Sequence, residues 1–262
     1  IHPRLTLIYL DAAIAVVDKG PGLISTPAPN ADISALSILQ DFIEGRLKPL
    51  ERKAASRPLP SSYRKLRLLP VHRLDQYTTG VFCMACNPRS RERLIEQLKA
   101  RKMAREYVAF VNGKPKHPNG TWRNWLELSS DQTRQRIVTQ DQSKAAGVRA
   151  QEAITHYETV AQYNLENGAV VSQLQVRLET GRRHQIRIQS AAAGLPIIGD
   201  RTYNEAYRRA NVESAPIQFP RQALHAQRLI LEHPETGAQL SWTAQLPPDM
   251  RQLVAKLRSM AS

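Results

Sequence analysis

The chain has 262 residues, 42% of them hydrophobic, with 37 Lys and Arg against 23 Asp and Glu, a formal net charge of +14. That length supports a substantial core, and that charge attracts polyanions, with nucleic acid the leading partner. No apolar run approaches the roughly 18 to 20 residues of a membrane-spanning helix, no charged-then-apolar leader precedes a cleavage site, and two cysteines exclude a disulfide framework, so a soluble cytoplasmic protein is expected.

In chain order, residues 5–18 predict two short strands around a turn, closed by the loop Lys19-Gly20-Pro21-Gly22. Ser34 to Leu47 carries Leu36, Ile38, Leu39, Phe42 and Ile43 at helical spacing. From Lys48 to Arg67, seven basic residues, one glutamate and three prolines lack periodicity and predict a loop, either a solvated excursion or an arm for RNA phosphates. The C-x-x-C of Val81-Phe82-Cys83-Met84-Ala85-Cys86 lies in a predicted buried strand. Cys83 and Cys86 would then face opposite ways, as small core residues rather than a redox or metal pair.

Ser90 to Lys102 predicts a helix with Leu94, Ile95 and Leu98 inward, followed by a strand at Glu106 to Val111. Trp122 to Ala150 is polar and too weakly patterned to assign. Ser172 to Glu179 alternates cleanly as a half-buried strand and breaks at Thr180-Gly181. A helix is expected from about Arg183 to Gly194, with Pro196 just beyond, and a last one over Pro248 to Arg258.

Two clusters could carry chemistry. Val71-His72-Arg73-Leu74-Asp75-Gln76-Tyr77-Thr78-Thr79-Gly80 gathers a carboxylate, two basic side chains, hydroxyls and a turn glycine before a strand, where function often sits. Taken alone it also fits an ion-paired surface turn. Gly181-Arg182-Arg183-His184-Gln185-Ile186-Arg187 crowds three arginines at a strand-to-helix turn, with Arg183 and Arg187 four apart and on one predicted face. Such a cluster suits phosphate at a helix N-terminus, a charge-assisted pair with a carboxylate, or a plain solvated basic face.

Four blocks in order resemble the RluA-type family of ribosomal and transfer RNA pseudouridine synthases: Lys19-Gly20-Pro21-Gly22-Leu23; His72-Arg73-Leu74-Asp75 with Thr78-Thr79-Gly80; Arg105-Glu106-Tyr107 ending at Gly113; and Gly181 to Arg187 continuing through Gly194-Leu195-Pro196-Ile197-Ile198-Gly199-Asp200 to Tyr203. Leu224-His225-Ala226 and His233-Pro234 extend the likeness, which spans about residues 5 to 250. It implies an α+β fold, a mixed and largely antiparallel sheet with flanking helices and loops around a central basic cleft.

The resemblance also implies one catalytic domain over residues 1–262 with no visible N-terminal RNA-binding appendage. Asp75 matches the catalytic aspartate, Tyr107 the tyrosine beside the target base, and Arg187 the arginine pairing with the aspartate. Arg73 matches a side chain that fills the space left by the flipped nucleotide, and Ile198 borders the base. His72, Thr78, Arg182 and Arg183 complete the expected RNA contacts. No cofactor, no metal and no obligatory protein partner are implied.

The chain departs from the family's usual pattern at Gly20, at Gln76-Tyr77 and at Gln189. Two other functions fit parts of the same sequence: a non-catalytic RNA-binding or RNA-folding protein, and a hydrolytic RNA enzyme using His72 and Asp75. The first needs no carboxylate at residue 75, and the second yields strand scission or free base.

Overall fold

The computed structural model describes residues 1–29, 33–47, 59–131, 133–145, 147–209 and 217–261. Its backbone groups into two compact units, Ile1–Arg105 with Ala226–Gln245, and Glu106–His225 with Leu246–Ser262. The architecture is the expected α+β one, with largely antiparallel strands.

In the first unit, β1 (Leu5–Leu10) and β2 (Ile14–Lys19) pair antiparallel. Asp11 makes the turn between them, accepting the backbone N–H groups of Ala13 and Ile14 at 2.7 and 2.8 Å. Helix α1 (Ala35–Ile43) is capped by Ser34, whose side chain accepts the N–H of Ser37. A 3-10 turn, Ser61–Lys65, occupies the described end of the predicted basic loop, and a short strand β3 (Leu69–Pro70) follows it. The rest of that loop, 48–58, lies outside the described residues.

Strand β4 (Thr79–Ala85) is buried along its whole length. It pairs antiparallel with β2, from Lys19 opposite Gly80 to Ile14 opposite Ala85, and neighbours β10 (Leu224–Glu232). Gly80 is required there: φ is +113°, and a Cβ would stand 2.1 Å from the carbonyl oxygen of Ala226. Strand β11 (Gln239–Thr243) pairs with β10, and α2 (Pro88–Lys99) starts at an Asn87 cap. The core of this unit joins Ile14, Val16, Val81, Cys83, Leu94, Met103, Leu229 and Leu231.

The second unit is built on five antiparallel strands in the order β5 (Ala104–Asn112, its first two residues in the first unit), β9 (Val170–Leu178), β8 (Gln151–Asn164), β6 (Asn119–Leu128) and β7 (Gln135–Val138). The region left unassigned by its sequence pattern thus holds β6, β7 and a short helix α3 (Gln140–Ser143). Helix α4 (Gln185–Ala192) ends at Gly194 in the left-handed conformation. There Gly194 N–H reaches Ala191 O and Leu195 N–H reaches Ser190 O, as a glycine-stopped helix requires.

Helix α5 (Glu205–Arg209) and α6 (Pro248–Ser259) complete the unit. Arg221, nearly buried, pairs both Nε and Nη2 with Asp249 at 2.7 and 3.0 Å and so ties residues 221–224 to the start of α6. Among the described residues, no helix is long and apolar enough to cross a membrane.

Candidate active site

The Asp75 turn is fixed through its backbone. Lys19, the last residue of β2, is fully buried, and its Nζ donates to three carbonyls, Gly20 at 3.1 Å, Leu23 at 2.8 Å and Gln76 at 3.0 Å. Ser25 Oγ donates to the carbonyl of Leu74 at 2.9 Å and accepts its N–H at 3.0 Å. Thr78 N–H closes the turn onto the Asp75 carbonyl at 3.0 Å. The residues before and after Asp75 are therefore each held by a side chain distant in sequence, and Asp75 itself is half-buried.

Neither Lys19 nor Ser25 was picked out as a site residue by sequence. The only local signal is a lysine ending an apolar strand, which reads as its charged terminus. Lys19→Met keeps the stem and removes the donors from three carbonyls. Its expected cost is roughly 2–3 kcal/mol, read as a lower urea midpoint.

Of the other residues around this turn, Arg73 is exposed and Thr78 is buried. His72 Nε2 accepts the backbone N–H of Cys83 at 3.2 Å, and its ring meets Phe82 edge-on with centroids 6.0 Å apart. Burial first, and the charge of Arg105 second, push its pKa from 6.5 down to about 3. The imidazole is neutral at physiological pH, with the Nδ1–H tautomer assigned from that bond, so it brings no cation to a phosphate and its Nε2 is occupied.

A pH dependence of stability follows. The unfolded chain protonates His72 below pH 6.5, whereas the folded chain resists until about 3. Stability is therefore complete above 6.5 and is lost as pH falls through that window. Between pH 7 and 5 the loss is about 2 kcal/mol, and urea titrations of His72→Gln should show a correspondingly flatter pH profile.

Cys83 and Cys86 are both free and buried. Burial is the largest cause pushing each thiol up to about 12, so both stay protonated and inert, in keeping with the core role expected of them.

The arginine-rich turn lies in the second unit and differs from expectation in one respect. Helix α4 starts at Gln185, after His184 in the left-handed conformation at φ 54°. Arg183 thus precedes the helix and does not share a helical face with Arg187. Arg183 is exposed, whereas Arg187 is 6% exposed. Arg182 Nε donates to the carbonyl of Glu152 at 3.1 Å.

Arg187 sits in a charge-assisted fork. Its Nε and Nη2 donate to the two oxygens of Asp200 at 2.7 and 2.9 Å, and Nη2 also reaches Thr202 Oγ1 at 2.9 Å. Its guanidinium carbon stands 5.3 Å from the ring centroid of Tyr203, whose hydroxyl accepts the N–H of Gln135 and meets His184 Nδ1 at 3.0 Å. Asp200, fully buried, was quoted in the sequence as part of a block but not as a site residue.

Gln189, one of the unusual positions, is fully engaged. It accepts from Thr155 Oγ1 at 2.6 Å and donates to Trp122 O, Asn124 Oδ1 and Ala153 O. Tyr107 is buried on β5 opposite Val176. Ile198 is also buried, with its backbone bonded to Phe110 and Ala223. Asp75 therefore belongs to the first unit, and Tyr107 and Arg187 to the second.

Comparison with known proteins bears on what these residues serve. Residues 13–192 match the family model described as RNA pseudouridylate synthase. A ribosomal large subunit pseudouridine synthase D of Pseudomonas aeruginosa is 32% identical over 261 residues, covering 97% of this chain and 72% of that protein. The protein of the same name from Haemophilus influenzae is 36% identical, covering 97% and 71%.

Among solved structures, human RNA pseudouridylate synthase domain containing 4 superposes with a TM-score of 0.66 at 20% identity, over 96% of this chain and 92% of that one. Human RNA pseudouridylate synthase domain containing 1 gives 0.62 at 22%, over 98% and 96%. These two likenesses are of fold. The family match and the curated relatives place the chain plainly: it belongs to the RNA pseudouridylate synthase family.

Proposed function

We propose that this enzyme isomerises a uridine of large-subunit ribosomal RNA to pseudouridine, with Asp75 as its catalytic carboxylate. The observation that carries the reading is the turn itself, on which one carboxylate is presented by a backbone clamped on both sides by Lys19 and Ser25. Reactions at a fixed carbon reward such positioning, because the entropy of orienting the group is lost during folding rather than at the barrier. The large-subunit substrate follows from the names of the relatives, and the net charge of +14 supplies the general attraction to RNA.

In this reading the target uridine leaves its stack, and Asp75 acts as the bond between N1 and C1′ breaks, as nucleophile or as base. The uracil turns and rejoins through C5, losing the C5 proton to solvent and gaining one at N1. The change is redox-neutral and consumes no co-substrate, so no cofactor is assigned. Tyr107 and Arg187 act with Asp75, the first against the uracil and the second on the carboxylate. Arg73, Thr78, Arg182, Arg183 and Ile198 serve RNA, while His72 serves through the backbone of β4. Residues 1–262 act as one catalytic domain in the cytoplasm, without an obligatory protein partner.

The test is tritium release from large-subunit ribosomal RNA transcribed with 5-tritiated uridine, followed by mapping of the modified position. Release with stoichiometric pseudouridine is expected. Strand breaks or free uracil would instead identify a hydrolase, and binding without release a non-catalytic RNA-binding protein.

A further inference from the structure

The turn that carries Asp75 also carries an aromatic side chain that the isomerisation does not use. Tyr77 is the third residue of that turn and is 48% exposed, although Thr78 beside it is buried. Across from it lies Gly22, at φ +77°, where a Cβ would stand 3.4 Å from Arg4 Nη1 and 3.9 Å from Tyr77 Cε1. One point above the Gly22 backbone is thus flanked by a guanidinium and by a phenol ring, and no side chain at Gly22 fills it.

The backbone that carries these groups is held by hydrogen bonds. The carbonyl of Arg4 accepts the N–H of Gly20 at 2.8 Å, and the N–H of Arg4 donates to His2 Nδ1 at 3.1 Å. A Cβ at residue 20 would stand 3.1 Å from Arg4 Cα, so the absence of a side chain at Gly20 lets Arg4 come this close. Gln76 Nε2 donates to the Gly22 carbonyl at 3.2 Å, while the carbonyl of Gln76 accepts from Lys19. Gly20, Gln76 and Tyr77, where the chain departs from the family's pattern, therefore meet at this one place.

An exposed ring and a planar cation beside a stretch of backbone without a side chain match the parts of a single nucleotide. The ring offers a face to a base and the guanidinium offers donors to a phosphate. Tyr77 and Asp75 are two residues apart, so their Cα atoms are no more than about 7 Å apart. A base next to a flipped uridine has lost a stacking neighbour, and an aromatic side chain replaces it. From this the geometry points to a subsite formed by Arg4, Gly22 and Tyr77 that holds one nucleotide flanking the target uridine, with Tyr77 stacked on its base and Arg4 on its phosphate. The identity of that nucleotide as a neighbour of the target rests on the proposed role of Asp75; the binding does not.

Affinity for large-subunit ribosomal RNA transcribed in vitro, measured in an Asp75→Asn background so that nothing turns over, tests the subsite. Adding Tyr77→Ala should raise Kd by about fivefold to a hundredfold without changing the slope of log Kd against log salt. Tyr77→Leu should behave like Tyr77→Ala, and Tyr77→Phe should restore binding. Arg4→Gln should reduce the salt slope by about 0.7 to 0.9, the share of one phosphate.

Binding within twofold of the parent in both Tyr77→Ala and Tyr77→Leu, or an unchanged salt slope in Arg4→Gln, overturns the proposal. Urea midpoints of each variant, measured beside the affinities, separate lost contact from lost fold. Wild-type tritium release is read in parallel. Its failure would overturn the isomerase reading, while the affinities still decide the subsite.

Discussion

Asp75→Asn is expected to reduce tritium release from RNA containing 5-tritiated uridine by about 10⁴-fold or more, the scale of removing a group that makes or breaks the reacting bond. The carboxamide matches the carboxylate in shape but is a far poorer nucleophile and base. The fold should hardly notice the change. The backbone of the turn stays held by Thr78 N–H on the Asp75 carbonyl, by the Lys19 ammonium on the Gln76 carbonyl, and by the Ser25 hydroxyl on both backbone groups of Leu74. The unfolding free energy from urea titration should therefore change by less than about 1 kcal/mol. Release persisting within tenfold of wild type would remove Asp75 from the chemistry, and a large loss of stability would show that its side chain builds the turn.

The clustering of His72, Arg73, Asp75 and Thr78 before a buried strand was legible because it is local, as was the strand itself, with its run of apolar residues up to Cys86. What holds the cluster was not. Lys19 and Ser25 reach Gln76 and Leu74 across 57 and 49 residues of sequence, and no short-range pattern marks a lysine as buried. Helix α4 misled in a related way. A solvated basic face was one of three readings open to the arginine cluster that begins it, yet Gln185, Arg187, Gln189 and Ser190 are all buried. They are polar inside because partners such as Ile154 O, Asp200, Asn124 and Arg187 O satisfy them.

The strands show the same division. β1, β2, β5 and β9 carry apolar runs or alternation strong enough to read directly. β6 exposes or half-exposes most of its residues, and β8 is buried in succession only at Ala153, Ile154 and Thr155. Their pairing, Trp122 opposite Thr155 and Tyr157 opposite Val176, is decided by register with distant strands rather than by their own composition.

Asp200→Asn should cost about 3–5 kcal/mol of stability, the range for breaking a buried ion pair from one side. Asp200 is fully buried and accepts four donors: Arg187 Nε at 2.7 Å, Arg187 Nη2 at 2.9 Å, Thr202 N–H at 2.8 Å and Tyr203 N–H at 3.2 Å. An asparagine keeps one acceptor oxygen but removes the negative charge, and it brings an NH₂ group among donors. The guanidinium of Arg187 is left without that compensation.

Stability and chemistry can then be separated with a second substitution. Asp200→Asn with Arg187→Met removes both charges, fills the space with an apolar chain and leaves one acceptor for the N–H groups of Thr202 and Tyr203. This double variant should regain much of the lost stability, since paired removal of buried charges is often close to neutral. It should nonetheless stay deficient in tritium release if Arg187 acts with Asp75. Recovery of both would make Arg187 a purely structural residue. An Asp200→Asn protein within about 1 kcal/mol of wild type would show that the pair does not hold this end of α4 at all.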